Sequence, residues 1–218
     1  MNLNVVMLIF MIAYLGVQTF FDVFNKCRVP LSVGYIGLSG SFLYYLFQCI
    51  RTGILSGIRL GVFVALFVIT IGIYLYCKKK NIYVKGESTP GENYTISQQL
   101  FNYSPFVILL TVMICSIDIT MGITCLVIWI LSELKIFGHG DRTAFWAISF
   151  YFATFAVDIP KTNTMLLLIL LFISNFVFLV RYKAWTHTKD IERRAFFPYI
   201  LLGFIITVLI GGLSYGRI

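Results

Sequence analysis

Charge is scarce in this chain. Only 12% of its 218 residues are Asp, Glu, Lys or Arg, nine of them acids, while 59% are hydrophobic and the mean hydropathy is +0.90. Soluble domains carry about a quarter charged residues, so an ordinary water-soluble fold is excluded and an integral membrane protein is implied. Metal-ligand patterns are missing as well. The five cysteines (Cys27, Cys49, Cys77, Cys115 and Cys125) contain no C-x-x-C spacing, and no two histidines or acids are spaced as ligands. These absences argue against structural zinc, a disulfide framework and a catalytic metal, and no cofactor is expected. The first apolar run, Val5–Phe24, has neither a basic stretch before it nor a small-residue cleavage site after it, so it is expected to remain as a span. No internal repeat or low-complexity tract is present.

What charge there is leans basic, 17 Lys and Arg against nine acids, for a net +8. In a membrane protein such an excess sets orientation and touches anionic lipid, so the bilayer is the expected partner and nucleic acid is not. Apolar segments run over Val5–Phe24, Leu31–Ile50, Ser56–Cys77, Phe101–Ile117, Ile119–Ile136, Thr143–Pro160, Asn163–Val180 and Phe196–Leu213. Most are near the length that crosses a hydrocarbon core of ~30 Å, and backbone groups in lipid must be satisfied internally, so they are expected to be helices. The expected fold is all-α, a polytopic transmembrane bundle of about eight helices (six to eight). It forms a single transmembrane domain over residues 1–218, with a polar loop at Lys78–Gln99 and a basic loop at Arg181–Arg194.

Phe101–Ile136 is too long for one span and is interrupted only by Asp118 and Gly122. If it is a hairpin of two short helices, one face of the membrane collects 13 of the 17 basic residues. Only Arg51, Arg59, Lys161 and Arg217 then lie opposite. If it is one span, the same residues divide 8 against 9 and orientation is undefined. The positive-inside rule therefore favours the hairpin, with both termini outside and the 13-charge face cytoplasmic. In that topology Asp22 and Asp141 share the cytoplasmic face.

Those two acids carry the most specific chemistry. Gly138-His139-Gly140-Asp141 lies between apolar runs, and Asp22 ends the first of them. Ionisable residues at membrane segments are functional candidates by default. A pair of carboxyls sharing one site can activate water, since one ionised member acts as base while the protonated member polarises a peptide carbonyl. Asp141 is expected to open a helix, where the dipole favours its charged form. Asp22 is expected to close one, which makes it the protonated partner. Gly138 and Gly140 are expected to permit an unusual backbone path and the close approach of a substrate strand. A plainer role for Asp22 is an i, i+4 pair with Lys26. His139 reads as a boundary side chain, Asp118 as a turn acid, Asp158 as a helix terminus, and Glu133 as a neighbour of Lys135 or Arg142. Asn93-Tyr94-Thr95 and Asn102-Tyr103-Ser104 fit the glycosylation pattern but fall on the cytoplasmic side.

The tetrapeptide resembles the second-aspartate motif of the G-x-G-D membrane aspartyl proteases, and within them the type IV prepilin peptidases, including the archaeal preflagellin peptidases. Asp22 through Arg28-Val29-Pro30 resembles that family's first motif, and Phe196-Phe197-Pro198-Tyr199-Ile200-Leu201-Leu202-Gly203 resembles the start of its last span. The resemblance implies a helical membrane endopeptidase. Asp22 and Asp141 would cleave the short basic leader of prepilin-like or archaellin-like precursors at the cytoplasmic face of the cell membrane. Three features depart from the pattern. The aspartates are 119 positions apart, which exceeds the usual interval; Arg142-Thr143 stands where a lysine usually follows; and no cysteine-bearing cytoplasmic domain is present. The last makes the archaeal, peptidase-only branch the better match. Two alternatives stay open: a presenilin-type intramembrane protease, whose aspartates would lie near the bilayer centre, and a non-enzymatic transporter or assembly subunit.

Overall fold

The computed structural model describes residues 3–24, 30–79, 83–85, 93–95, 123, 126–128, 130–131, 139–155, 160–185 and 196–215. These are overwhelmingly helical: α1 (Leu3–Phe24), α2 (Leu31–Arg51), α3 (Ile58–Lys79), α4 (His139–Phe155), α5 (Pro160–Trp185) and α6 (Phe197–Tyr215). The exception is a small ribbon, β1 (Tyr83–Lys85) paired antiparallel with β2 (Asn93–Thr95), with Tyr83 opposite Thr95 and Lys85 opposite Asn93. The fold class is all-α, as expected. Two helical stretches among the described residues, Leu3–Phe24 and Val33–Arg51, are long and apolar enough to cross a membrane. At 1.5 Å per residue the 22 residues of α1 reach about 33 Å.

Several boundaries differ from expectation for identifiable reasons. Pro160 opens α5 and does not close the preceding helix; a first-turn position costs proline nothing, because the missing N–H would have had no helical partner there. The basic stretch after α5 begins inside the helix, which runs on to Trp185. Lys78 and Lys79 likewise belong to α3, and the polar stretch beyond them holds the ribbon, whose Tyr, Val and Thr residues favour extended backbone. Whether Phe101–Ile136 forms one span or two lies outside the described residues, apart from short helical pieces at 126–128 and 130–131.

The chain divides into two compact units, Met1–Cys49 with Val127–Ile218, and Ile50–Leu126. The second unit contains α3 and the ribbon. Ahead of α3, Gly53 and Gly57 take φ of +74° and +56°, a region open to glycine at little steric cost, and the Ser56 hydroxyl donates to the Gly53 carbonyl at 2.9 Å.

The first unit is organised around α4, where every residue from Arg142 to Ala153 is buried. A helix buried all round is a core helix. Phe150 packs its ring against Phe42 and Tyr45 of α2, with centroids at 5.2 and 5.7 Å. On another side Tyr151 and Phe152 each lie 5.6 Å from Phe204 of α6. α1 and α2 approach through glycines at i, i+3 and i+6. A Cβ on Gly40 would come within 2.7 Å of the Phe10 ring, and one on Gly37 would overlap the Tyr14 ring. Small residues at helix contacts permit this close approach. Near the opposite end of α1, the Tyr44 hydroxyl donates to Asn4 Oδ1 and accepts from Gln48 Nε2 at 3.1 Å. α5 meets α6 at Gly203, against Leu170 and Ser174, and Ser174 Oγ donates to the Tyr199 carbonyl at 3.0 Å. The hydroxyls of Ser41, Ser149 and Thr207 each donate to the carbonyl one turn back, so these three donors are satisfied within their own helices. Ile9, Phe20, Ile36, Leu43, Phe172 and Phe176 lie on outward faces, an arrangement suited to lipid.

Candidate active site

The site is assembled from the C-terminal end of α1 and the N-terminal turns of α4 and α6. Asp22 lies in the last turn of α1, yet only 5% of its surface is exposed. Its Oδ2 accepts the backbone N–H of Phe197 at 2.9 Å, across 175 positions of sequence. The local sequence of α6 explains why that amide is available. Tyr199 and Ile200 both donate back to the Phe196 carbonyl, at 3.0 and 3.3 Å, and Pro198 has no N–H to donate. Of the first-turn amides only Phe197 still needs an acceptor, and Asp22 supplies it from a different helix.

This geometry adds a contact that the sequence reading of Asp22 did not include. As a residue of α1 it lies at the end of a dipole that disfavours negative charge. In space it caps the start of α6, where a donated N–H and the positive dipole end both interact favourably with an anion. The start of α6, and not only the end of its own helix, therefore borders the Asp22 carboxyl.

Asp141 occupies the first turn of α4, partly buried, as the sequence implied. The residue before it, Gly140, faces the Phe197 ring, whose nearest atoms lie 3.6 and 3.7 Å from where a Cβ on Gly140 would stand. Phe197 therefore touches both halves of the site, holding Asp22 through its amide and bordering the start of Asp141's helix with its ring. Phe145 and Phe196 add an edge-on ring contact at 6.3 Å between the same two helix starts. The N-terminus of α6 meets both carboxyl-bearing segments, the end of α1 and the start of α4.

Gly140 also departs from expectation. Its backbone is ordinary helix and its φ is not positive, so glycine is not required there by an unusual path. The space beside it would admit a methyl at normal contact distance. Gly138 and Lys26 lie outside the described residues, as do Asp118, Glu133 and Asp158; His139 is described only as the first helical residue of α4. Arg142, counted above among the charges of the cytoplasmic face, is buried at 2% exposure, with its guanidinium 5.0 Å from the centre of the Trp146 ring. Thr143, at the position where the resembled family carries a lysine, donates its hydroxyl to the Gly140 carbonyl at 2.7 Å.

Sequence reasoning missed two further polar side chains here, Tyr14 and Gln18. With Asp22 they recur at i, i+4 and i+8 on α1, and all three are buried. That spacing, in a helix otherwise almost wholly apolar, was a signal available from the start. No group of three or more His, Cys, Asp or Glu side chains among the described residues is placed to hold a metal ion. Comparison of the chain with family models, curated proteins and solved structures finds no match.

Proposed function

We propose that this chain is a membrane aspartyl endopeptidase in which Asp22 and Asp141 are the catalytic pair. It cleaves the short basic leader of prepilin-like or archaellin-like precursors. The reading includes a multi-pass bundle of about eight helices in the cell membrane, both termini outside and the site open to the cytoplasm. The observation that carries it is the convergence at Phe197, where a buried carboxylate and the glycine preceding the second aspartate meet the same residue. Acids distant in sequence are otherwise scarce and have no reason to be drawn to one helix junction.

The chemistry follows from that placement. In this reading the two carboxyls share a partly desolvated region, and the positive ends of α4 and α6 favour one negative charge there. The ionised member takes a proton from water as it attacks the scissile carbonyl, and the protonated member donates to the carbonyl oxygen. The pair titrates as a unit, so the proton belongs to the site and not to one residue. Each aspartate lies within a turn of a helix end, which suits a peptide bond just outside a substrate's hydrophobic helix better than one in the bilayer centre, as a presenilin-type protease would require.

The test is direct. The purified chain in liposomes is mixed with a synthetic precursor that joins a basic leader to an apolar helix, and the products are weighed by mass spectrometry. Endopeptidase function gives one cut at the leader–helix junction. A transporter or assembly subunit gives intact precursor.

A further inference from the structure

Gln18 is fully buried in an apolar helix, and its Oε1 has no hydrogen-bond partner among the described residues. An orphaned buried acceptor costs about 1–3 kcal/mol, and a leucine would fill the space without that cost. The other end of the amide shows what it does. Gln18 Nε2 donates to the Tyr14 hydroxyl at 2.8 Å. That hydroxyl's one proton is shared between the Gly34 carbonyl of α2, at 3.3 Å, and the Thr143 hydroxyl oxygen of α4, which accepts it. Thr143 in turn holds the carbonyl of Gly140, the residue preceding Asp141. Gly34 makes room for the junction: a Cβ there would lie 2.8 Å from Thr143 Oγ1 and 3.8 Å from Gln18 Nε2.

We propose that Tyr14, Gln18 and Thr143 form a buried brace that sets the separation of the two carboxyl-bearing helix ends, and that they are positioning residues of the candidate site. The brace starts one helical turn from Asp22 on the same face of α1 and ends on the peptide that leads into Asp141. It crosses between α1 and α4 beside the bare backbone of Gly34 in α2. Asp22 is fixed from the other direction by Phe197, so the brace adds a second restraint on Asp141 relative to it. Misplacing a catalytic group by 1 Å can cost up to about a hundredfold in rate. The catalytic consequence rests on the endopeptidase reading; the geometric one does not.

Both consequences are measured on the full-length chain in liposomes. Thr143→Val removes the hydroxyl at nearly constant shape, Thr143→Ser keeps it, and Tyr14→Phe removes the central hydroxyl. With the synthetic precursor, Thr143→Val and Tyr14→Phe are expected to lower kcat at least about tenfold with KM within about twofold, and Thr143→Ser to stay within about threefold of the parent. In a second arm, cysteines replace Asp22 and Asp141 in a chain whose native cysteines are removed, and a short bifunctional thiol reagent links them. Adding Tyr14→Phe is expected to slow the linkage at least about fivefold by widening the range of separations. Unchanged kcat in Thr143→Val, or a Thr143→Ser variant as impaired as Thr143→Val, would overturn the catalytic role. An unchanged linkage rate would overturn the brace. If the parent itself cuts nothing, the endopeptidase reading fails and the linkage rates alone decide the brace.

Discussion

Replacing Asp22 by Ala and by Asn should separate its structural work from its chemical work. In the folded chain Asp22 Oδ2 takes the Phe197 amide at 2.9 Å in a buried position. Asn retains an oxygen acceptor in the same place and loses only the charge assistance, a difference of about 1 kcal/mol between charged and neutral hydrogen bonds. Ala leaves the amide buried without an acceptor, which costs about 2–3 kcal/mol in all when the lost bond and the orphaned donor are combined. The turn cannot repair itself, because the first amide of a helix has no carbonyl of its own helix to donate to, and the Phe196 carbonyl already accepts two bonds. The expected ordering is therefore parent, then Asn, then Ala, with the last two separated by roughly 1–2 kcal/mol, a five- to thirtyfold change in the folded-to-unfolded ratio. Reversible unfolding in mixed micelles, followed by tryptophan fluorescence, measures it. Equal stabilities for Ala and Asn would show that the Phe197 amide does not depend on Asp22, and the structural basis for the site would be lost.

Other outcomes follow from the same packing. Gly203→Ala should destabilise the chain by about 1–3 kcal/mol, because its Cβ would press within 3.2 Å of the Leu170 backbone carbonyl as well as on Ser174, whereas Gly140→Ala should fold like the parent; thermal unfolding compares them. Gly37→Leu should prevent the normal seating of Tyr14 and lower the yield of folded protein recovered from membranes, and recovery equal to the parent would contradict the close α1–α2 contact. Cysteine-accessibility labelling should place the Arg181–Arg194 stretch in the cytoplasm, and labelling from outside would reverse the orientation drawn from basic residues.

Helices were the easiest part to read from the sequence, because long apolar runs with almost no charge admit few structures other than helices in lipid. Their ends were harder. Hydropathy marks where a run stops being apolar, but α5 continues through Arg181 to Trp185 and α4 starts at His139, in a polar stretch. Asp141 was legible as a helix-opening acid because its motif is local. The role of Asp22 was not, because its decisive partner is an amide 175 positions away. Local dipole reasoning considered only its own helix and not the start of α6. The Phe196–Gly203 stretch stood out as a motif, yet only the structure gives its physical content: a proline that leaves one amide to be capped from another helix. The Tyr14–Gln18–Thr143 brace joins two helices through single hydroxyls and an amide. Half of it could be seen as a polar stripe on α1, and the other half only once α4 was placed beside it.

The central claim is that two carboxyls on different helices act as one catalytic unit. Its most direct test is cleavage of the synthetic precursor by the parent, Asp22→Asn and Asp141→Asn, inserted to equal levels and followed to completion by mass. Asn preserves shape and removes the ionisable group, so each variant alone should lose at least about a hundredfold in rate, and the double variant should be hardly worse than either single one, because the two acids act as a unit. Near-parent cleavage by either single variant would remove that residue from the site and contradict the claim.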